Sequence, residues 1–123
     1  MKTKQPLPPP IRTICKYDLS NYIPYLQTVQ AHAQSKARQS DFVKRCERVV
    51  RTVQKLSADM DDQTKQVLYL VFLRRDAVSV EAAADLLGIG KTQAYMVINR
   101  FLVEYAIAMG YVTRRQMGKK KVS

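Results

Sequence analysis

Histidine and cysteine are scarce in this chain of 123 residues, which has one histidine (His32) and two cysteines (Cys15 and Cys46). The cysteines are 31 residues apart, a spacing that is typical of neither a metal site nor a disulfide framework, so we expect reduced thiols and no metal. The sequence also offers no convincing pair of nucleophile and base, because no serine or cysteine is flanked by glycine. These absences predict a protein that is not an enzyme and has no cofactor.

Long apolar stretches are also absent. The longest apolar run, Val67–Leu73, has seven residues, whereas a membrane-spanning helix needs roughly 20. The N-terminus has no charged segment followed by an apolar one, which is the pattern of a signal peptide. We therefore expect a soluble, cytoplasmic protein without a membrane partner, built as one domain or as one domain with an arm.

One glycine-containing segment resembles a nucleotide-binding motif but lacks an essential part of it. Gly90-Lys91-Thr92 matches the end of a phosphate-binding loop, and that loop requires a further glycine five residues before Gly90. The chain has Asp85 at that position, which would present a carboxylate to a phosphate. The sequence therefore does not predict nucleotide binding.

Acidic residues are few, since 10 Asp and Glu oppose 21 Lys and Arg and the net charge is +11. This excess favours a polyanionic partner, nucleic acid first and an anionic membrane surface second. Residues 1–58 carry 11 cations against 3 acids, residues 59–110 carry 5 against 7, and residues 111–123 carry 5 against none. The flanking parts are therefore predicted to supply non-specific affinity for phosphate. The candidate phosphate contacts are Lys44, Arg45, Arg48, Arg51, Lys55, Arg114, Arg115, Lys119, Lys120 and Lys121.

Residues 79–105 carry the pattern around which the chain is organised, and this pattern predicts a helix-turn-helix. Ser79 is a good N-cap for the first helix, and Gly88 suits the sharp turn because glycine readily adopts a positive φ. Ile89 would fill the corner between the two helices. The alternative interpretation is an ordinary helical hairpin within a core.

The second helix of this motif is predicted from about Lys91 to about Met109, because apolar residues recur there at helical spacing. Its predicted buried positions are Val97, Ile98, Phe101, Leu102 and Tyr105. The side chains left exposed near its start include hydrogen-bond donors, an amide, an aromatic ring and cations, which are groups that reach base edges and phosphates of duplex DNA. The predicted DNA-binding residues are Lys91, Thr92, Gln93, Tyr95, Met96, Asn99 and Arg100.

Other parts of the chain also predict helices. The predicted bounds are about 21–37, about 41–57 with Ser40 and Asp41 as caps, and about 60–75. The second of these has a heptad-like apolar seam over 42–56, which either packs within the monomer, as we expect, or builds a dimer. Residues 11–17 are expected to be a short strand or an irregular lead-in.

Four regions follow from these assignments. They are a Pro-rich basic leader (1–17), an N-terminal helical region (18–58), a helix-turn-helix DNA-binding domain (59–110) and a basic mobile tail (111–123). The predicted fold class is all-α, a small helical bundle with a C-terminal helix-turn-helix and a long final helix.

Three segments resemble the ArpU/RinA group of late transcriptional regulators, which are carried by phages and prophages of Gram-positive bacteria. They are the predicted apolar helix that begins at Met60 with acidic residues in its first turn, the segment Ala83–Tyr95 and the segment Phe101–Gly110. The resemblance covers residues 59–110 and implies a helix-turn-helix similar to the promoter-reading region 4 of sigma factors. It also implies that the groove-facing side chains are Lys91, Thr92, Tyr95, Met96 and Asn99.

The sequence and the resemblance together predict a sequence-specific transcriptional regulator of phage or prophage late genes. It would bind double-stranded DNA as a homodimer in the cytoplasm of a bacterial host cell. One alternative is a phage DNA-packaging or recombination accessory factor that recognises a site through the same motif. Another is a helical adaptor that docks on RNA polymerase through the 42–56 seam without reading DNA.

Overall fold

The computed structural model describes residues 7–35 and 37–117, and within them it contains six helices and no strand. The helices are α1 (Pro9–Ser20), α2 (Tyr22–Ala33), α3 (Asp41–Ala58), α4 (Asp62–Val71), α5 (Val80–Leu87) and α6 (Lys91–Met109). The predicted all-α bundle is therefore confirmed. None of the helices in these residues is long and apolar enough to cross a membrane.

The first helix was not predicted, and it corrects the expectation of a strand or irregular segment over residues 11–17. Pro9 begins α1 after Pro8, and proline suits the first turn of a helix because the N–H that it lacks would have no partner there. Leu7 and Cys15, both within the expected leader, are buried, as is Leu19 of α1. This part of the expected leader therefore belongs to the core, whereas residues 1–6 lie outside the described residues.

The break between α1 and α2 has a local cause in proline. Pro24 has no N–H for the carbonyl of Ser20, and its ring would clash with that carbonyl in a continuous helix. The chain kinks at Asn21, whose carbonyl accepts the first hydrogen bond of α2 from the N–H of Tyr25 at 2.9 Å. The predicted start of α2 is confirmed to within one residue, but the helix ends at Ala33 rather than near residue 37.

The apolar seam of α3 packs inside the monomer. Ser40 caps this helix by accepting a hydrogen bond from the N–H of Val43 at 3.2 Å. Cys46, Val49 and Val53 are buried, and α3 packs against α1, α2 and α6. Most of the 42–56 seam is therefore unavailable as a dimer interface or as a docking surface for RNA polymerase.

The helix α4 is shorter than predicted, because it ends at Val71 rather than near Arg75. Asp61 caps its start by accepting a hydrogen bond from the N–H of Thr64 at 2.9 Å. Beyond the helix the chain reverses, and the N–H of Val78 donates to the carbonyl of Leu70 at 2.9 Å. Residues 72–79 thus form the connection between α4 and α5.

The long helix α6 is the centre of the core and packs against α1, α3, α4 and α5. Its predicted buried positions are confirmed, since Val97, Ile98, Phe101, Leu102 and Tyr105 are each at most 3% exposed. Because the N-terminal helices pack on the same α6 that follows α5, the helices on both sides of residue 58 share one hydrophobic core.

A buried hydrogen-bond network joins α1, α3 and α6. The fully buried carboxylate of Asp18 accepts a hydrogen bond from Arg45 at 2.7 Å, one from Tyr105 at 3.0 Å and one from Tyr111 at 2.7 Å. Burial raises the pKa of Tyr105 well above its usual range, and the charge of Asp18 raises it further. Since a buried polar group needs hydrogen-bond partners, these three donors satisfy the Asp18 carboxylate within the core.

The segment after α6 folds back onto the core, which corrects the expectation that all of residues 111–123 form a mobile tail. Gly110 ends the helix in the left-handed conformation with φ 80°, and the N–H of Tyr111 returns to the carbonyl of Ala106 at 2.9 Å. Val112 and Met117 are buried. The lysines predicted to contact phosphate at positions 119–121 lie outside the described residues.

Candidate nucleic-acid interface

The first half of α6 divides its side chains sharply between core and solvent. Ala94, Val97 and Ile98 are buried against the bundle. All seven side chains that the sequence singled out for DNA binding lie on the exposed part of this helix. They are Lys91, Thr92, Gln93, Tyr95, Met96, Asn99 and Arg100.

A tight turn presents this exposed face. Gly88 has φ 69°, a left-handed conformation that favours glycine, and its N–H donates to the carbonyl of Asp85 at 3.3 Å. The N–H of Ile89 donates to the carbonyl of Ala84 at 3.0 Å, which completes the two-bond motif that often ends helices. The chain therefore leaves α5 and enters α6 within three residues, and Ser79 caps α5 as predicted.

Tyr95 does not project freely from this face. Its hydroxyl donates a hydrogen bond to the carboxylate of Glu81 on α5, and the Tyr95 residue is 39% exposed. The hydrogen bond from Tyr95 is the main reason that the pKa of Glu81 is lowered, and the charge of Lys91 lowers it further. The same bond raises the pKa of Tyr95. Glu81 is therefore ionised and Tyr95 is protonated at neutral pH.

Gln93 is also held by a residue from another helix. Its Nε2 donates to Oε1 of Gln63, on the first turn of α4, at 2.5 Å. This contact fixes the orientation of the Gln93 amide and leaves its own Oε1 and its second N–H available. Two of the seven predicted residues are therefore positioned by neighbours that the sequence analysis did not identify.

Charge on this face is balanced rather than strongly positive. Hydrogen bonding by Thr64 is the main cause of the lowered pKa of Asp61, and the nearby charge of Arg100 also contributes. Glu81 lies beside Lys91 in the same way. Asp61 and Glu81 thus each lie near a cation, which partly offsets the negative charge at these two positions.

Two grooves lie along one stripe of α6. The first, of about 560 Å³, is lined by Gln93, Met96 and Arg100 of α6 together with the start of α4. The second, of about 390 Å³, is lined by Glu104 and Ile107 of α6 together with α3. Residues three, four, seven and eleven positions apart share one face of a helix. The two grooves therefore follow each other along the same side of the molecule.

The second groove carries the cations. Arg51 and Lys55 of α3 line it, as does Arg114 from the segment after α6. Arg114 is paired with Glu104 by two hydrogen bonds of 2.7 and 3.3 Å. Arg51 forms a weaker and more exposed pair with Glu47 at 3.3 Å. The exposed Lys55 forms no ion pair with any of the described residues, so it is available to an anion.

Several of the predicted phosphate contacts already have structural partners. Arg45 is paired with Asp18, and the Nη2 of Arg48 donates to the carbonyl of Met109, the last residue of α6, at 2.6 Å. Burial lowers the pKa of Arg45, but its bonds to Tyr111 and Asp18 outweigh burial and raise the pKa overall. Both arginines therefore hold the bundle together, and no local sequence pattern predicts this because their partners are 27 and 61 residues away in the chain.

Other predicted phosphate contacts remain exposed. Lys44 and Arg115, like Lys55, lie at the surface without an ion pair to the part of the chain that the structure describes. Among the described residues no group of three or more His, Cys, Asp or Glu side chains has an arrangement that could hold a metal ion. The described surface thus has side chains suited to base recognition on the first half of α6, and exposed cations without an ion pair on α3 and after α6.

No protein-family model matches the sequence, and neither a curated protein nor a solved structure matches it. The resemblance to the ArpU/RinA regulators therefore stays a prediction.

Proposed function

We propose that this protein is a sequence-specific transcriptional regulator that binds double-stranded DNA. The observation that carries the proposal is the exposed face of α6, where seven side chains suited to base edges and phosphates follow a three-residue turn. A helix presented in this way fits the major groove, which is about 12 Å wide. The resemblance over residues 59–110 extends the proposal to late promoters of phages or prophages.

The division of charge supports separate sources of specificity and affinity. The first half of α6 is locally balanced, so its contribution is the pattern of hydrogen bonds that it offers to bases. Ile107, in the second groove, lies about 16 Å further along the helix axis than Met96, at a rise of about 1.5 Å per residue. This separation exceeds the width of the major groove, so Lys55 and Arg51 would lie near a flanking phosphate strand while Met96 faces the bases.

A titration with two labelled duplexes tests the proposal. Fluorescence anisotropy would compare the intergenic DNA next to the gene with a scrambled duplex of the same composition at moderate salt. We expect a preference of about a hundredfold or more for the native duplex, within the range of specific over non-specific binding. If the protein binds neither duplex at low salt, the proposal is wrong.

Two double variants distinguish base recognition from electrostatic attraction to phosphate. Tyr95→Phe with Asn99→Ala is expected to abolish the preference between the duplexes and to leave the scrambled duplex bound as before, because these side chains contact bases. Lys44→Ala with Lys55→Ala is expected to weaken binding to both duplexes equally and to reduce the salt slope by up to about 1.8, or about 0.9 per phosphate contact. If both double variants changed the affinity for the native and the scrambled duplex by the same factor, specificity and electrostatic affinity would not have the separate sources proposed.

A further inference from the structure

The hydrogen bond between Tyr95 and Glu81 fixes which of the two groups donates. An ionised carboxylate has no proton, so Glu81 only accepts and the tyrosine hydroxyl is the donor. The bond joins the second residue of α5 to the fifth residue of α6, across the turn at Gly88. The direction of the bond therefore follows from the chemistry of the two side chains.

A tyrosine hydroxyl has one proton and two lone pairs. Because the hydroxyl proton of Tyr95 is engaged in the hydrogen bond to Glu81, only the lone pairs of the Tyr95 oxygen remain for a second partner. The Tyr95 residue is 39% exposed, so this oxygen lies at the face that the proposed function assigns to DNA. Toward DNA, Tyr95 is an acceptor and not a donor.

We propose that Glu81 is a specificity-determining positioning residue, which makes Tyr95 select a base that carries an exocyclic amino group. In the major groove these amino groups are N6 of adenine and N4 of cytosine, whereas guanine O6 and thymine O4 are acceptors. An acceptor on Tyr95 therefore pairs with adenine or cytosine and opposes the carbonyl oxygens of guanine and thymine. This inference rests on the proposed function, because it assigns a base preference to the same face.

The neighbouring Gln93 has a related constraint from Gln63. With one N–H given to Gln63, the Gln93 amide keeps one N–H and its oxygen, the pair of groups that matches N7 and N6 of adenine. Residues two positions apart point about 200° apart around a helix, so Gln93 and Tyr95 lie at different edges of the exposed face and the contact with Gln63 does not involve Tyr95. It is consistent with a recognition face that favours amino-bearing bases.

The experiment begins with the duplex that the full-length protein selects from a randomised pool. Each position of that duplex is then substituted, and adenine is also replaced by 2-aminopurine, which pairs with thymine but has no 6-amino group. We expect one position at which loss of the amino group lowers affinity about tenfold, the loss expected for one base contact. Tyr95→Phe should remove the discrimination at that position alone.

Two changes of Glu81 test its part. Glu81→Ala frees the hydroxyl to donate or to accept, so discrimination at the Tyr95 position should fall to within about twofold while other positions keep theirs. Glu81→Gln is expected to shift the base preference toward guanine and thymine. A Gln amide can donate a hydrogen bond to the Tyr95 oxygen, which leaves the hydroxyl proton of Tyr95 available to a carbonyl oxygen of the base. Asp85→Ala, on the same helix, removes the same charge and should leave the profile unchanged.

Three outcomes overturn the inference, and they differ from the failure of the proposed function. One is a Tyr95-dependent position that prefers guanine or thymine, and another is unchanged discrimination in Glu81→Ala. The third is an equal loss in Asp85→Ala, which would indicate a general charge effect. In all three cases specific binding to duplex DNA persists and the proposed function stands. If no duplex is selected at low salt, both fail together.

Discussion

The carboxylate of Asp18 lies 2.7 Å from the guanidinium of Arg45, so a fully buried anion on α1 is neutralised by a cation on α3. Arg45→Met keeps much of the side-chain length but leaves this carboxylate to the hydroxyl groups of Tyr105 and Tyr111. Breaking a fully buried pair costs about 3–5 kcal/mol. We expect a smaller loss in the free energy of unfolding, about 2–3 kcal/mol, because the side chain of Arg45 is 43% exposed. Urea unfolding followed by circular dichroism measures it.

Arg51→Met is the matched control on the same helix. Its partner Glu47 lies 3.3 Å away, and the two side chains are 74% and 36% exposed. Exposed pairs at this helical spacing contribute about 0.3–0.5 kcal/mol, so the control should unfold almost as the natural protein does. Equal losses in the two variants would contradict a special role for the buried network.

Alkaline pH should destabilise the protein, starting near pH 9. Burial raises the pKa of the Cys15 thiol from 9.0 to about 12, and the charge of Asp18 adds to the effect. Between these values the unfolded chain has released the thiol proton and the folded chain has kept it, so the free energy of unfolding falls as pH rises. Burial, followed by the hydrogen bond to Asp18, likewise raises the pKa of Tyr111 from 10.0 to about 12.

The contribution of Cys15 can be isolated by a double comparison. The free energy of unfolding would be measured at pH 8 and pH 10.5 for the natural protein and for Cys15→Ala. One group whose pKa is raised in the folded state contributes about 1.4 kcal/mol per pH unit above its unfolded pKa, so the variant should lose about 1–2 kcal/mol less over this interval. The void left by alanine lowers stability at both pH values and cancels. An identical loss in both proteins would mean that the thiol is not held protonated.

The starts of α3 and α5 could be predicted because their signals are local. Ser40 and Ser79 cap α3 and α5 through N–H groups three residues ahead, and such contacts depend only on nearby sequence. The partners of Asp18 are 27, 87 and 93 residues away. No periodicity links such positions, so the sequence predicts no partner for Asp18 and assigns Arg45 to phosphate.

The turn between α5 and α6 predicts opposite effects for the same substitution at two glycines. Gly88 has φ 69° and nothing within 4 Å of an added Cβ, so Gly88→Ser should cost about 1–2 kcal/mol through backbone strain alone. Gly90 is the N-cap of α6 with φ −70° and no side-chain cap. Gly90→Ser should therefore stabilise by a few tenths of a kcal/mol, since serine is the better cap.

Thermal unfolding of the two serine variants beside the natural protein measures both effects, because the added side chain is the same. A melting temperature lowered by Gly90→Ser, or left unchanged by Gly88→Ser, would contradict the assignment of the turn. The expected melting temperature is higher than that of the natural protein for Gly90→Ser and lower for Gly88→Ser.

At the candidate site the sequence predicts which side chains of α6 are exposed, but not which residues orient them. Helical periodicity separated the exposed side chains of α6 from the buried ones, and the structure agrees at all seven exposed positions. The residues that orient two of them, Gln63 and Glu81, come from α4 and α5. Their roles depend on how three helices pack, which no local pattern encodes.

The lysines at positions 119–121 offer the last prediction, which concerns salt dependence. Each cation that neutralises a phosphate releases counterions, and the slope of log affinity against log salt concentration is about −0.9 per contact on duplex DNA. Replacing all three lysines with alanine should therefore make the slope less steep by up to about 2.7 and lower the affinity for native and scrambled duplexes equally. The free energy of unfolding is measured as the control for folding, and Met117, the last buried residue among those that the structure describes, is retained in the variant. An unchanged slope would exclude these lysines from phosphate binding and assign the electrostatic part of the affinity to exposed cations of the bundle such as Lys44 and Lys55.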